Sequence, residues 1–169
     1  GGDWDFWKAG LEAQYFRTLH VDRYDRKHIL AVTGEADFAD TYDGGPVPIF
    51  ERYFVGGAYS LRGFEYRGVG PHFGDQPLGG EARLLASVEY TFPIVGEAIR
   101  GVLFWDVGQV AATAGDLDLG DFRNSVGFGL RLSAPGLGPL PISLDFGFPL
   151  NSKDEDEKQV FSFSIGAYF

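Results

Sequence analysis

Ser125-Val126-Gly127-Phe128-Gly129-Leu130-Arg131-Leu132-Ser133 changes character at every step. Successive side chains of an extended strand point to opposite faces, so Val126, Phe128, Leu130 and Leu132 share one face and Ser125, Gly127, Gly129, Arg131 and Ser133 the other. A helix of 3.6 residues per turn would scatter both sets. The stretch reads as a strand with one large apolar face and one face of small residues plus a guanidinium.

The same alternation recurs on both sides of it. After the tight turn Pro135-Gly136-Leu137-Gly138-Pro139, Ile142, Leu144, Phe146 and Phe148 oppose Ser143, Asp145 and Gly147. At the end of the chain, a strand over about 159–169 sets Phe161, Phe163, Ile165, Ala167 and Phe169 against Ser162, Ser164, Gly166 and Tyr168. Upstream, residues 80–93 set Leu84, Ala86, Val88, Tyr90 and Phe92 against Arg83, Ser87, Glu89 and Thr91, and Pro93 closes the strand because it cannot donate to a ladder. Residues 99–110 place Leu103, Trp105 and Val107 opposite Arg100, Phe104, Asp106 and Gly108, with apolar residues on both faces. Weaker alternation covers 27–38 and 4–17. The fold class is all-β: an antiparallel meander of about seven strands.

Composition narrows what such a chain does. Its 169 residues include 16 Phe, 8 Tyr, 3 Trp and 25 Gly, with no Cys. The net charge of −10 argues against nucleic acid as a partner, since phosphate contacts need clustered Lys and Arg. No run of 18 apolar residues occurs, so only strands could cross a membrane. The start, Gly1-Gly2-Asp3-Trp4, carries no basic segment followed by an apolar one and reads as a mature chain or a fragment. His20, His28 and His72 lack zinc-ligand spacing, and no Gly-x-Ser-x-Gly elbow is present. The acidic run Asp154-Glu155-Asp156-Glu157 reads as a solvated loop rather than a calcium site. No catalytic constellation, metal or cofactor is implied, and the expectation is that the chain is not an enzyme.

A soluble sandwich would also alternate, but two features favour a membrane barrel. The non-aromatic face carries Gly, Ser, Thr, Gln and the charges Glu12, Glu35, Glu89, Asp106, Arg131 and Asp145, as a wet lumen requires. Connections also alternate: 18–25, 94–98 and 134–139 are short, whereas 39–78, 111–122 and 151–158 are long or acidic. Short turns on one rim and long loops on the other is the outer-membrane arrangement. Phe128, Leu130, Phe146, Phe148, Phe163 and Ile165 are then expected to face lipid, and Arg131, Asp145 and Ser164 the lumen.

The longest loop contains Gly56-Gly57-Ala58-Tyr59-Ser60-Leu61-Arg62-Gly63-Phe64, closed by Gly70-Pro71. A guanidinium held on a tight tip suits a carboxylate-lined pocket. By parity Asp106 and Glu89 both point into the lumen, and a loop of roughly 40 residues at about 3.3 Å each can fold back to reach them.

These segments, with Phe104-Trp105-Asp106-Val107-Gly108, Ser133-Ala134-Pro135 with Leu137-Gly138-Pro139, and Phe161 to Phe169, resemble in their order the motifs of the BamA/TamA outer-membrane insertase superfamily, also known as the bacterial surface antigen family. The resemblance covers about 50–169 and is greatest to the BamA branch. It implies that 1–169 is the C-terminal part of a 16-stranded barrel of the bacterial outer membrane. The 39–78 loop is extracellular and folds into the lumen, and POTRA domains and the N-terminal strands are absent from the chain. It also implies an interaction of Arg62, Gly63 and Phe64 with the barrel wall at Asp106, Glu89 and Gly108, and a C-terminal seam strand carrying Phe161, Phe163, Gly166 and Phe169. The implied function is BamA-like assembly of β-barrel proteins. The partners would be the outer-membrane bilayer, nascent barrel proteins and, through POTRA domains, periplasmic accessory lipoproteins. A TamA-like module, a two-partner secretion transporter and a passive porin-like barrel are the alternatives.

Overall fold

The computed structural model describes residues 5–96, 98–133 and 142–166. In chain order the strands are β1 (Phe6–Val21), β2 (Lys27–Thr41), the short β3 (Gly63–Phe64), β4 (His72–Phe73) and β5 (Gln76–Pro77), then β6 (Ala82–Val95), β7 (Ile99–Ala111), β8 (Arg123–Leu132), β9 (Ile142–Pro149), β10 (Lys158–Gln159) and β11 (Phe161–Ile165). Seven form one sheet in the order β1-β2-β6-β7-β8-β9-β11, every neighbour antiparallel. The sheet is the seven-stranded meander expected from the alternation. No helix among the described residues is long and apolar enough to cross a membrane. Strands are the elements that can, provided their backbone is paired.

Register puts like with like across the sheet. Phe128 pairs with Phe146 and Phe146 with Phe161, their rings stacked 5.5 Å and tilted 5.2 Å apart, so the apolar face is an aromatic row. That face is open, with Phe128 51% and Phe163 54% exposed, whereas Asp145 and Ser164 on the concave side are 1% and 4% exposed. Leu130, Phe146, Phe148 and Ile165 are likewise exposed, and Arg131 is buried. A sheet whose aromatic side is open and whose polar side is covered is inside-out relative to a soluble domain, as a lipid-facing wall must be.

Several boundaries move. β1 continues to Val21 through an irregularity between Thr18 and His20, so the first turn is 22–26 rather than 18–25. Asp22 accepts from Arg26 Nε at 2.8 Å and from the backbone N–H of Tyr24 and Arg26, which lets so short a turn close. β2 runs to Thr41 and β6 starts at Ala82, placing the long loop at 42–81 instead of 39–78. The last strand begins at Phe161, not 159, because Lys158–Gln159 pair with the loop strand β3 instead of with β9. The expected turn 134–139 and the residues Ala167, Tyr168 and Phe169 lie outside the described residues.

Candidate functional site

The 42–81 loop carries a small core of its own. Val55, Leu61, Phe64 and Val69 pack with the wall residues Leu85 and Val110 in one buried cluster. Leu85 and Val110 are inward residues that break the polar pattern of their face, and the loop is the reason. Gly108 sits beneath: a Cβ there would come 2.6 Å from Leu85 Cδ2. Bridges Tyr53↔Gly80, Val55↔Val69 and Gly57↔Leu61 fold the loop back on itself.

This core delivers Arg62 to the wall. Its Nε donates to Asp106 Oδ2 at 2.7 Å and Nη2 to Asp106 Oδ1 at 2.8 Å, the bidentate fork that a guanidinium matches to a carboxylate. Nη1 donates to Glu89 Oε2 at 2.9 Å, and Ser87 Oγ donates to Asp106 Oδ1 at 2.6 Å. The guanidinium also lies 3.5 Å from the centroid of Phe104. That stacking explains why Phe104 occupies an inward position: its ring is the floor on which the cation rests. Side-chain exposure is 9% for Arg62 and 2% for Asp106. Arg131 extends the network, donating to Asp145 at 2.6 Å and to Glu89 at 3.2 Å. Two cations thus meet three carboxylates, Asp106, Glu89 and Asp145.

Gly63 follows with φ of +94°, a conformation that favours glycine, and its backbone lies against Gly147 of β9, where a Cβ would sit 2.5 Å from Gly63 N. Ser125 donates its hydroxyl to the Arg62 carbonyl. Phe64 is 1% exposed, in the loop core. The ladder Gly63↔Gln159 and Phe64↔Lys158 then joins the loop to the segment entering β11, supported by Glu65 N–H to Glu157 O at 2.9 Å and Glu157 N–H to Gly68 O at 2.9 Å. The predicted loop and wall residues therefore come together in one place. Phe161 and Phe163 lie apart from them, exposed on the outer face, and Gly166 follows the end of β11 with φ of +129°. Phe169 lies outside the described residues.

A second buried pair was not anticipated. Arg123 Nε donates to Asp156 Oδ2 at 2.6 Å and Nη2 to Oδ1 at 3.3 Å, with side chains 7% and 0% exposed. The acidic run 154–157 is thus not uniformly solvated, because Asp156 turns in to cap Lys153 N–H and to neutralise Arg123. The available signal was parity: Arg123 lies on the same face as Ser125 and Arg131, where an unpaired cation would be costly. On the loop surface, a hydrogen bond from Lys153 holds the exposed Asp121 carboxyl below its usual range. Among the described residues no group of His, Cys, Asp or Glu could hold a metal ion.

The Omp85 superfamily domain matches residues 1–169. The chain belongs to the Omp85 superfamily. Among Omp85 relatives, the outer membrane protein assembly factor BamA of Nitratidesulfovibrio vulgaris is 31% identical over 178 residues, covering 100% of this chain and 21% of that protein. BamA of Neisseria meningitidis serogroup B is 28% identical over 195 residues, covering 95% and 24%. A SAM50-like protein of Schizosaccharomyces pombe is 27% identical over 166 residues, covering 92% and 34%. The crystal structure of Haemophilus ducreyi BamA lacking POTRA domains 1–3 superposes with a TM-score of 0.81 over 98% of this chain and 36% of that one, at 23% identity. The fold is therefore part of an Omp85 barrel, a protein of the outer membrane, and the chain spans a quarter or less of the two BamA relatives.

Proposed function

We propose that this chain is the C-terminal portion of the barrel of a BamA-like assembly factor that folds and inserts β-barrel proteins into the outer membrane. It does so without enzymatic chemistry. The observation that carries the reading is the docked loop: Arg62 on Asp106 and Glu89, with β3 laddered to β10 just before the last strand. A passive pore needs no internal loop that is pinned to its wall by a buried bidentate pair and laddered to the segment entering its final strand. In an assembly factor, a final strand whose entry is tied to an internal loop is a lip that can open toward lipid and template an incoming strand. Periplasmic accessory lipoproteins would act through POTRA domains.

The test uses the full-length protein in phosphatidylcholine vesicles presented with an unfolded outer-membrane barrel, folding being read as the heat-modifiable gel band. The wild type should speed folding over empty vesicles, and Arg62→Ala should lose most of that gain. Solute leakage without faster folding would indicate a passive barrel, and export of one polypeptide through the lumen a secretion transporter; either result overturns the proposal.

A further inference from the structure

The outward face of β1, β2 and β6 is apolar through its middle, with Leu11, Tyr15, Val32, Leu30 and Val88 at outward positions of the register. At its lower end, toward the short turns, that changes. Arg17 lies opposite Leu30, which lies opposite Tyr90, and one step nearer the turn His20 lies opposite His28. Arg17 is the one lysine or arginine at an outward register position of the described strands, and the described residues offer it no carboxylate partner. On the same face of β2 the first carboxylate is Asp40, at the opposite end. Cations on the lipid face of a barrel are costly at mid-depth and tolerated near the interface, where something anionic can meet them.

The other groups are arranged to donate. His28 Nδ1 and Tyr90 Oη lie 2.7 Å apart, and the His20 and His28 rings are 5.4 Å apart. With Nδ1 protonated, His28 donates to Tyr90 and the phenolic O–H is spare. With Nε2 protonated, Tyr90 donates to His28 and the Nε2–H is spare. Either tautomer leaves one donor beyond the pair. Arg17 and Tyr90 stand two strand spacings apart, about 10 Å, with Leu30 between them. Tyr90 stacks on Phe92 at 5.8 Å, which holds the phenol upright beside the bilayer.

We propose that Arg17, His20, His28 and Tyr90 form a binding site for the phosphodiester of a phospholipid in the periplasmic leaflet. Arg17 supplies the charge and the fork, and the His28–Tyr90 pair supplies the neutral donor. A lone positive charge suits a phosphodiester better than an acidic protein surface, because the described strands put one cation there and the site opens onto the acyl-chain region. The exposed Tyr15 and Leu11, outward on β1 toward the middle of the span, provide apolar contact for the chains. The site depends only on the chain's place in the outer membrane and not on assembly activity.

The test uses the full-length protein, delipidated in mild detergent and titrated with phosphatidylglycerol or with diacylglycerol of the same chains, bound lipid being counted by native mass spectrometry. The wild type should hold one phosphatidylglycerol that resists dilution, with no matching diacylglycerol. Arg17→Gln should weaken it at least tenfold, Arg17→Lys and His28→Ala less, and Arg23→Gln in the neighbouring turn should leave it unchanged. Arg17 and Arg23 are exposed and His28 is half-buried, and an unheated gel confirms that each variant remains folded. Equal binding of the two lipids, unchanged retention in Arg17→Gln, or an equal loss in Arg23→Gln would overturn the proposal.

Discussion

Asp156→Ala should release the loop between β9 and β10 from the barrel while leaving the strands in place. The carboxylate accepts from Arg123 Nε at 2.6 Å, from Arg123 Nη2 at 3.3 Å and from Lys153 N–H at 2.6 Å, and its side chain is 0% exposed. Removing one member of a buried pair costs about 3–5 kcal/mol, since the survivor is left charged and unmatched. The low end applies here: Arg123 keeps its bond to the Asp121 carbonyl, and the loop opens to water. About 3 kcal/mol corresponds to roughly a hundredfold change in an opening equilibrium. The assay is amide hydrogen exchange in the full-length protein, read at Glu65 and Glu157, whose N–H groups close the ladder between the long loop and β10. Both should exchange about a hundredfold faster in Asp156→Ala and about tenfold faster in Asp156→Asn, which keeps an acceptor but not the charge. Arg123→Ala with Asp156→Ala should lose less than the sum of the two. Additive losses, or unchanged exchange at Glu65, would refute the coupling of this pair to the loop ladder.

Three further outcomes are expected. In the full-length protein Arg62→Ala and Asp106→Ala should each destabilise loop docking by about 3 kcal/mol, and the double variant by little more, measured as protease protection of 42–81. Gly147→Ala should unseat the same loop with every charge intact, because the added Cβ would lie 2.5 Å from Gly63 N and 2.8 Å from the Arg62 carbonyl carbon; undiminished protection would contradict the packing. The Asp22 carboxyl is lowered from 3.8 to about 2, chiefly by the hydrogen bond from Arg26, so it steadies the first turn above about pH 4 and loses that effect as the pH falls through about 2. Carboxyl chemical shifts on titration should show that midpoint in the wild type and return it toward 3.8 in Arg26→Ala.

Period-two alternation carried the fold because lipid on one side and a wet lumen on the other impose opposite requirements on neighbouring residues. The strands where alternation is cleanest, β8 and β9, are those where the lumen wall is lined by Gly, Ser and single charges. Alternation blurred in β6 and β7 at Leu85, Phe104 and Val110, the inward residues that meet the loop. Their apolar character is a record of a tertiary contact that no local pattern can express. Arg62 and its carboxylates Asp106 and Glu89 were legible because parity fixes their direction; parity also put Asp145 in the lumen, but its meeting with Arg131 at 2.6 Å and Arg62 at 3.9 Å depends on register across strands. Asp156 was misread for a related reason. Four acids in a row look solvated, and only the loop's path turns one of them onto Arg123.

The loop matters to the last strand because β10, which ladders with β3, leads directly into β11. Among the described residues β11 pairs with β9 from Phe161↔Phe146 to Ile165↔Ile142. Val160 alone separates that ladder from β10, and its carbonyl accepts from Gly147 N–H at 2.8 Å. Gly147 is also the residue against which the Gly63 backbone rests. Arg62 on β7, Gly63 on β9 and Phe64 beside Lys158 therefore brace three strands within three consecutive residues. Because so short a segment cannot stretch, displacement of the guanidinium from Asp106 has to shift β3, and a shift of β3 has to break its pairing with β10 or carry β10 along. The docked arginine thus sets how firmly the upper end of the final strand is tied to the wall, without touching that strand itself.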